Sequence, residues 1–187
     1  DLVFNIAEGL YGEGRESLVP ALLDAYKIPY AFSGPVTLGI SLNKAFAKQI
    51  VKESGVNTPA FHVVSQLSDI QKINLQYPLF AKPISEGTGK GIDTKSVINS
   101  VEDLQQVCSN LLSKFNQPVL IEEYLPGREF TVGVLGSGED ADVVEILTAC
   151  IDSIFDEENV YMSDETSDKD LSEFVESLTF GQLGQLS

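Results

Sequence analysis

The segment Phe80-Ala81-Lys82-Pro83-Ile84-Ser85-Glu86-Gly87-Thr88-Gly89-Lys90-Gly91-Ile92 carries the strongest chemical signal in the sequence. Three glycines within five positions free the backbone to approach a ligand closely, and small residues let successive N–H groups converge on an anion such as a phosphate. Lys82 adds a fixed cation at the end of the strand that leads in. Gly91 stands where a P-loop needs a metal-binding Ser or Thr, and the glycine spacing is not that of a dinucleotide-binding turn. A flexible hairpin with glycines at its turns would give the same local pattern. A second segment runs from Leu120 to Val132, where an apolar strand ends in the paired carboxylates Glu122 and Glu123, turns through Pro126-Gly127 and resumes as an alternating strand. Backbone groups at such a strand edge can bind an adenine edge, and a carboxylate a few residues on can accept from two ribose hydroxyls. Read alone, it is better explained as a hairpin with a solvated acidic corner.

The elements that must position these residues follow from periodicity and punctuation. Asp1 to Ala7 reads as a short buried strand that begins at once, and Leu18, Ala21, Leu22 and Ala25 fall on one helical face with Pro20 confined to the first turn. Ile28-Pro29-Tyr30 reads as extended. A helix from about Leu42 to Ser54 places Ala45, Ile50 and Val51 inward, spaces Lys44, Lys48 and Lys52 by four, and ends at Gly55. A strand follows from Thr58 to Val64. Its His62, the single histidine, reads as an ordinary strand-face residue. Further strands are predicted at 78–82, 119–124, 130–135 and 143–147, and a helix at Val101 to Phe115, opened by Ser100 with Asp103 three residues on. The expectation is one mostly antiparallel sheet with helices on one side, an α+β module behind an α/β opening segment. Beyond Ile151 the periodicity fades.

The 187 residues are 43% hydrophobic and 21% charged, the range of globular proteins that bury a core. The net charge of −16 is concentrated between Ile151 and Glu176, which hold ten acidic residues and one lysine. Such a block reads as a solvated segment. No basic stripe meets a phosphodiester backbone, which excludes nucleic acid as the expected partner. No apolar run approaches the roughly 18 residues of a membrane span, and no leader pattern is seen, so a cytoplasmic setting without membrane association is expected. Cys108 and Cys150 lie far apart without neighbouring histidines, and read as free thiols rather than a zinc site or a disulfide.

Taken together, the segments resemble the D-alanine:D-alanine ligase family of the ATP-grasp superfamily. The resemblance begins at Val3-Phe4-Asn5-Ile6-Ala7-Glu8-Gly9 and takes in Gly12, Arg15, Glu16 and Pro20-Ala21-Leu22-Leu23. It continues through Ile28-Pro29-Tyr30, Leu42 to Lys48, Gly55-Val56-Asn57-Thr58-Pro59, the Lys82 to Gly91 loop and Glu122 to Val134. Roughly the first 150 residues are covered in the family's order, and the ordered co-occurrence carries the specificity. The chain departs from the better-known branch at Glu8, where that branch has histidine, and at Thr88 and Gly89, where it has paired serines. The implied substrate is therefore open between D-alanine and another amino acid.

The resemblance implies an incomplete ATP-grasp fold in three parts: 1–40 from the N-terminal α/β domain, 41–125 as the central domain, and 126–187 as the start of the C-terminal domain. It implies ATP as cofactor, with Lys44 and Lys82 on its phosphates and the loop of Glu86, Gly87, Thr88, Gly89 and Gly91 closing over them. Adenine contacts fall on Glu122, Glu123, Tyr124 and Leu125, and the ribose contact on Glu129. The implied reaction is γ-phosphoryl transfer to a carboxylate, giving an acyl phosphate that an amine attacks. Mg²⁺ is implied as well, but its ligands and the catalytic residues are expected downstream of this sequence, so none is assigned. Asn159 to Thr166 echoes the family's mobile active-site loop. A homodimer is left open, as are a ligase with another acceptor and a non-catalytic nucleotide-binding or interaction protein.

Overall fold

Alternation along the central strands decides where everything else sits. In the computed structural model, which describes residues 1–149, β4 (Leu79–Pro83) buries Leu79, Ala81 and Pro83 and leaves Phe80 and Lys82 partly open. Its neighbour β6 (Val119–Glu123) is buried on both faces, with Val119 and Ile121 on one and Leu120 and Glu122 on the other. Strands β3 (Phe61–Val64) and β5 (Val97–Ile98) complete a four-stranded antiparallel sheet of order β3-β6-β4-β5. The odd-numbered face of β6 is covered by α4 (Val101–Phe115), whose Leu104, Cys108 and Leu111 pack with Val64, Leu79, Ala81 and Ile121. The even-numbered face is covered by α3 (Lys44–Glu53), whose Ala45 packs with Ile84 and Leu120, flanked by Phe61 and Val63. Burying each such Leu, Ile or Val contributes about 1.5–3 kcal/mol.

The helix ends explain themselves. Ser100 Oγ accepts from the Asp103 N–H at 3.1 Å and donates to the Asp103 carboxylate at 2.8 Å, and α4 stops at Asn116 in the left-handed conformation. Asn43 Oδ1 accepts from the N–H groups of Ala45 and Phe46 at 3.1 and 3.3 Å, which caps α3 and makes Lys44 its first residue. Cys108 lies in the dry layer between α4 and the sheet, where burial pushes its thiol up to about 11, so it stays protonated.

The opening segment forms a two-stranded parallel sheet of β1 (Val3–Phe4) and β2 (Tyr30–Ala31), with α1 (Leu18–Ala25) and α2 (Pro35–Leu42). β7 (Glu129–Leu135) and β8 (Asp142–Ala149) form a separate antiparallel pair with a bulge at Gly133/Val134. Two compact units result among the described residues, one of Asp1–Val51 with Thr58–Tyr124, the other of Lys52–Asn57 with the chain from Leu125 to Ala149. The α+β class is as expected, but four details differ. A helix packs against each face of the central sheet, because Leu120 gives Ala45 of α3 an apolar contact on the face that also carries Lys82 and Glu122. The hairpin β7-β8 is not part of that sheet. On α3, Ala45 is buried while Ile50 is 40% exposed, because Lys44 and Lys48 take the sheet-facing positions instead. β1 is also more open than expected, with Phe4 69% exposed against Phe32 at 4.8 Å between ring centres. Among the described residues no helix is long and apolar enough to cross a membrane.

Candidate functional site

The site grows from the half-open face of β4 and β6. In the antiparallel register Phe80 faces Glu122 and Lys82 faces Leu120, so Lys82 and Glu122 are diagonal neighbours on one face. Lys82 Nζ lies 2.5 Å from Glu122 Oε1, and Lys48 Nζ, arriving from α3, lies 2.7 Å from Oε2. Each carboxylate oxygen thus has its own ammonium. Lys48 also donates to Thr58 Oγ1 at 2.6 Å and sits 5.5 Å from the Phe61 ring centre. Burial alone would raise the Glu122 pKa, but the two lysines outweigh it and hold the carboxyl below the usual range.

Lys44 is arranged differently. Its backbone N–H donates to the Ile84 carbonyl at 3.0 Å, and its Nζ donates to the carbonyls of Ile84 at 3.4 Å and Glu86. No carboxylate among the described residues pairs with it within ion-pair distance. Burial, then the nearby Lys82 charge, lowers its pKa, with Glu86 and Glu16 pulling the other way and Arg15 adding to the decrease. A half-buried cation beside a second one, aimed by neutral carbonyls, is a place where an anion is stabilised.

The loop that follows β4 has pinned ends and an open tip. Thr88 at φ 51° and Gly89 at φ 70° put two consecutive residues in the left-handed region, a strained choice for a β-branched side chain. Turn bonds use the N–H groups of Lys90 and Ile92, not those at the tip. A Cβ added at Gly87 or Gly89 would meet nothing within 4 Å. Gly91, at φ 85°, is different in kind: a Cβ there would strike Pro83 Cγ at 2.5 Å and the Phe115 ring at 2.9 Å. It is the base of the loop. Gly91→Ala is therefore expected to cost about 2–4 kcal/mol of folding stability through left-handed strain and overpacking, while Gly87→Ala costs under about 0.5 kcal/mol. Urea unfolding of the two variants checks this, and equal stabilities would refute the close packing.

At the loop's entry, Glu86 is gripped by Lys90 at 3.0 Å, Gln117 at 2.7 Å and Arg15 at 3.7 Å. Burial would raise its pKa, and these three partners together bring it below the ordinary glutamate value. A cavity of about 670 Å³ opens here between the loop, the turn after α4 and the Glu8–Glu13 segment. Tyr124 stacks on Phe80 with ring centres 6.1 Å apart. Lys44, Lys82, Glu86 to Gly91, Glu122, Glu123 and Tyr124 thus share one compact unit; Leu125 and Glu129, which opens β7, belong to the other.

The sequence reading left Lys48 and Gln117 without a role. Lys48 had a signal, one helical turn after Lys44. Gln117, in the turn between α4 and β6, had none. Asn159 to Thr166 and the acidic block lie outside the described residues.

The family model for the D-ala D-ala ligase C-terminus matches residues 50–178. The chain belongs to the D-alanine:D-alanine ligase family. A D-alanine--D-alanine ligase of Aquifex aeolicus is 36% identical over 148 residues, which are 79% of this chain and 48% of that protein. The solved VanG D-Ala:D-Ser ligase of Enterococcus faecalis matches with a TM-score of 0.72 at 23% identity, over 98% of this chain and 56% of that one. The D-alanine-D-alanine ligase of Helicobacter pylori matches with a TM-score of 0.69 at 20% identity, over 98% and 54%. At these identities the solved structures show the ATP-grasp fold. The chain spans about half the length of the curated family members it matches.

Proposed function

We propose that this chain provides the nucleotide-holding part of an ATP-dependent carboxylate–amine ligase. The observation that carries the reading is Lys44: a half-buried ammonium with no carboxylate partner among the described residues, beside Lys82 and held by carbonyls at the root of the glycine-rich loop. Such a set of donors fits a polyphosphate. Lys44 and Lys82 would hold the phosphates, with the tip of the loop from Glu86 to Gly91 laid over them. Backbone groups at the end of β6, with Glu123 and Tyr124, would take the adenine. Glu122 would act beside the adenine while anchoring Lys82.

Bound ATP would supply a phosphoryl group to activate a carboxylate for attack by an amine, and the residues here would contribute orientation and charge neutralisation. Family membership implies magnesium alongside ATP. No group of three His, Cys, Asp or Glu side chains among the described residues comes together to hold a metal, so no ligand is named. The acceptor we propose is an amino acid, D-alanine or another.

Titration calorimetry with Mg·ATP, alongside phosphate release with and without D-alanine, tests this. Saturable one-site binding is expected. No heat of binding up to millimolar nucleotide would defeat the proposal, and release stimulated by a different amino acid would redirect the acceptor.

A further inference from the structure

Two side chains from distant parts of the chain meet at the dipeptide Ser85-Glu86, and each touches both of its residues. Gln117 Oε1 accepts from the Ser85 N–H at 2.7 Å, and Gln117 Nε2 donates to Glu86 Oε1 at 2.7 Å. Arg15 Nη2 donates to the Ser85 carbonyl at 2.7 Å and lies 3.7 Å from Glu86 Oε2. The Arg15 and Glu86 side chains are only 15% and 12% exposed. Arg15 itself is set by a tight fold-back, since a Cβ at Gly9, which has φ 69°, would strike the Arg15 carbonyl oxygen at 2.4 Å. The same dipeptide borders the carbonyls of Ile84 and Glu86 that aim Lys44. A shift of the loop root would move the acceptors of that ammonium.

We infer that Arg15 and Gln117 are positioning residues that fix the root of the glycine-rich loop and, through it, Lys44, in the arrangement that receives the nucleotide phosphates. The inference rests on the nucleotide reading above for its ligand, and on the four contacts for its mechanism. The side chain at position 117 must accept from one group and donate to the next, and an amide does both in a single orientation. A carboxylate there would face Glu86 with no donor between them, and leucine would leave the Ser85 N–H without its acceptor. With Gly91 packed against Phe115 at the other end, only the tip from Gly87 to Gly89 is free to adapt to a ligand.

The test uses Gln117→Leu and Gln117→Glu in the full chain, with three readouts: amide hydrogen exchange of residues 84–91 without nucleotide, Mg·ATP affinity, and thermal stability. For Gln117→Leu, exchange at 84–91 is expected to rise on the order of tenfold while α4 and β6 are unchanged, and Mg·ATP affinity to fall on the order of tenfold. Gln117→Glu is expected to show the same losses near pH 8 and to recover both as the pH falls toward about 5.5. Two facing carboxyls retain a shared proton to higher pH, and that proton restores the missing donor. Wild type has no comparable recovery. Unchanged exchange at 84–91, exchange rising evenly across the unit, or no recovery of Gln117→Glu at lower pH each overturns the clamp. Local exchange rising with affinity unchanged overturns its effect on the site. If wild type binds no Mg·ATP while exchange behaves as described, the clamp stands and the nucleotide reading falls.

Discussion

Replacing Glu122 with alanine is expected to destabilise the protein by about 3–5 kcal/mol, because it strands two cations in a nearly dry position. The side chains of Glu122, Lys48 and Lys82 are 10%, 13% and 22% exposed, so solvent offers little compensation once the shared carboxylate is gone. Glu122→Gln should cost less, since the amide oxygen still accepts from one ammonium while its NH₂ faces the other. The two variants also separate in their pH behaviour. The folded-state pKa of Glu122 is depressed, so as the pH falls below the ordinary glutamate value of 4.5 the unfolded chain takes up the proton first. The stabilisation is therefore fully present above that value and is lost as the pH falls through the lower folded-state value. Urea unfolding between about pH 3 and 7 should show a steep acid loss in wild type and a shallower one in Glu122→Gln. Glu86 and Asp69, also depressed, keep the slope from vanishing. A Glu122→Ala cost below about 1 kcal/mol, the range of an exposed pair, would show that the three groups do not form a buried cluster.

Lys82→Met is expected to lower Mg·ATP affinity on the order of a hundredfold, the loss of a charge-assisted contact worth about 1.5–3 kcal/mol made worse by the partly uncovered Glu122 carboxylate. Methionine keeps the aliphatic stem, and Lys48 still neutralises one oxygen of Glu122, so the fold should suffer less than in Glu122→Ala. Lys44→Met makes the instructive comparison. Lys44 is desolvated and, among the described residues, has no carboxylate partner, so removing its charge should reduce affinity while leaving folding stability equal or slightly higher. Calorimetric titration and urea unfolding on the same preparations check both. Affinities within twofold of wild type for both variants would remove these lysines from the site.

Legibility from sequence tracked how local the physics was. α4 falls at Val101–Phe115 as expected, because its start is written in Ser100 and Asp103 and its end in Asn116. β6 and β4 fall within a residue of expectation, since short apolar runs between turn residues have few alternatives. α2 was not foreseen, although Pro35 at its first turn after Gly34 is a readable start. α3 begins at Lys44 rather than Leu42 because the Asn43 side chain caps it there.

The sequence alone determined the kinds of groups available: a glycine-rich turn behind a strand lysine, paired carboxylates forty residues on, and their order along the chain, from which the family could be recognised. Those are properties of residue type and spacing, and they survive without knowing any contact. Tertiary structure decided how the charges are shared. It gave both oxygens of Glu122 to lysines from different elements, left Lys44 to neutral carbonyls, made Gly91 a packing residue, and brought Arg15 and Gln117 to the same two residues of the loop. Pairings across 70 and 32 positions leave no periodic trace, because the energy of an ion pair or a buried amide depends on distance and desolvation, which only the folded chain sets.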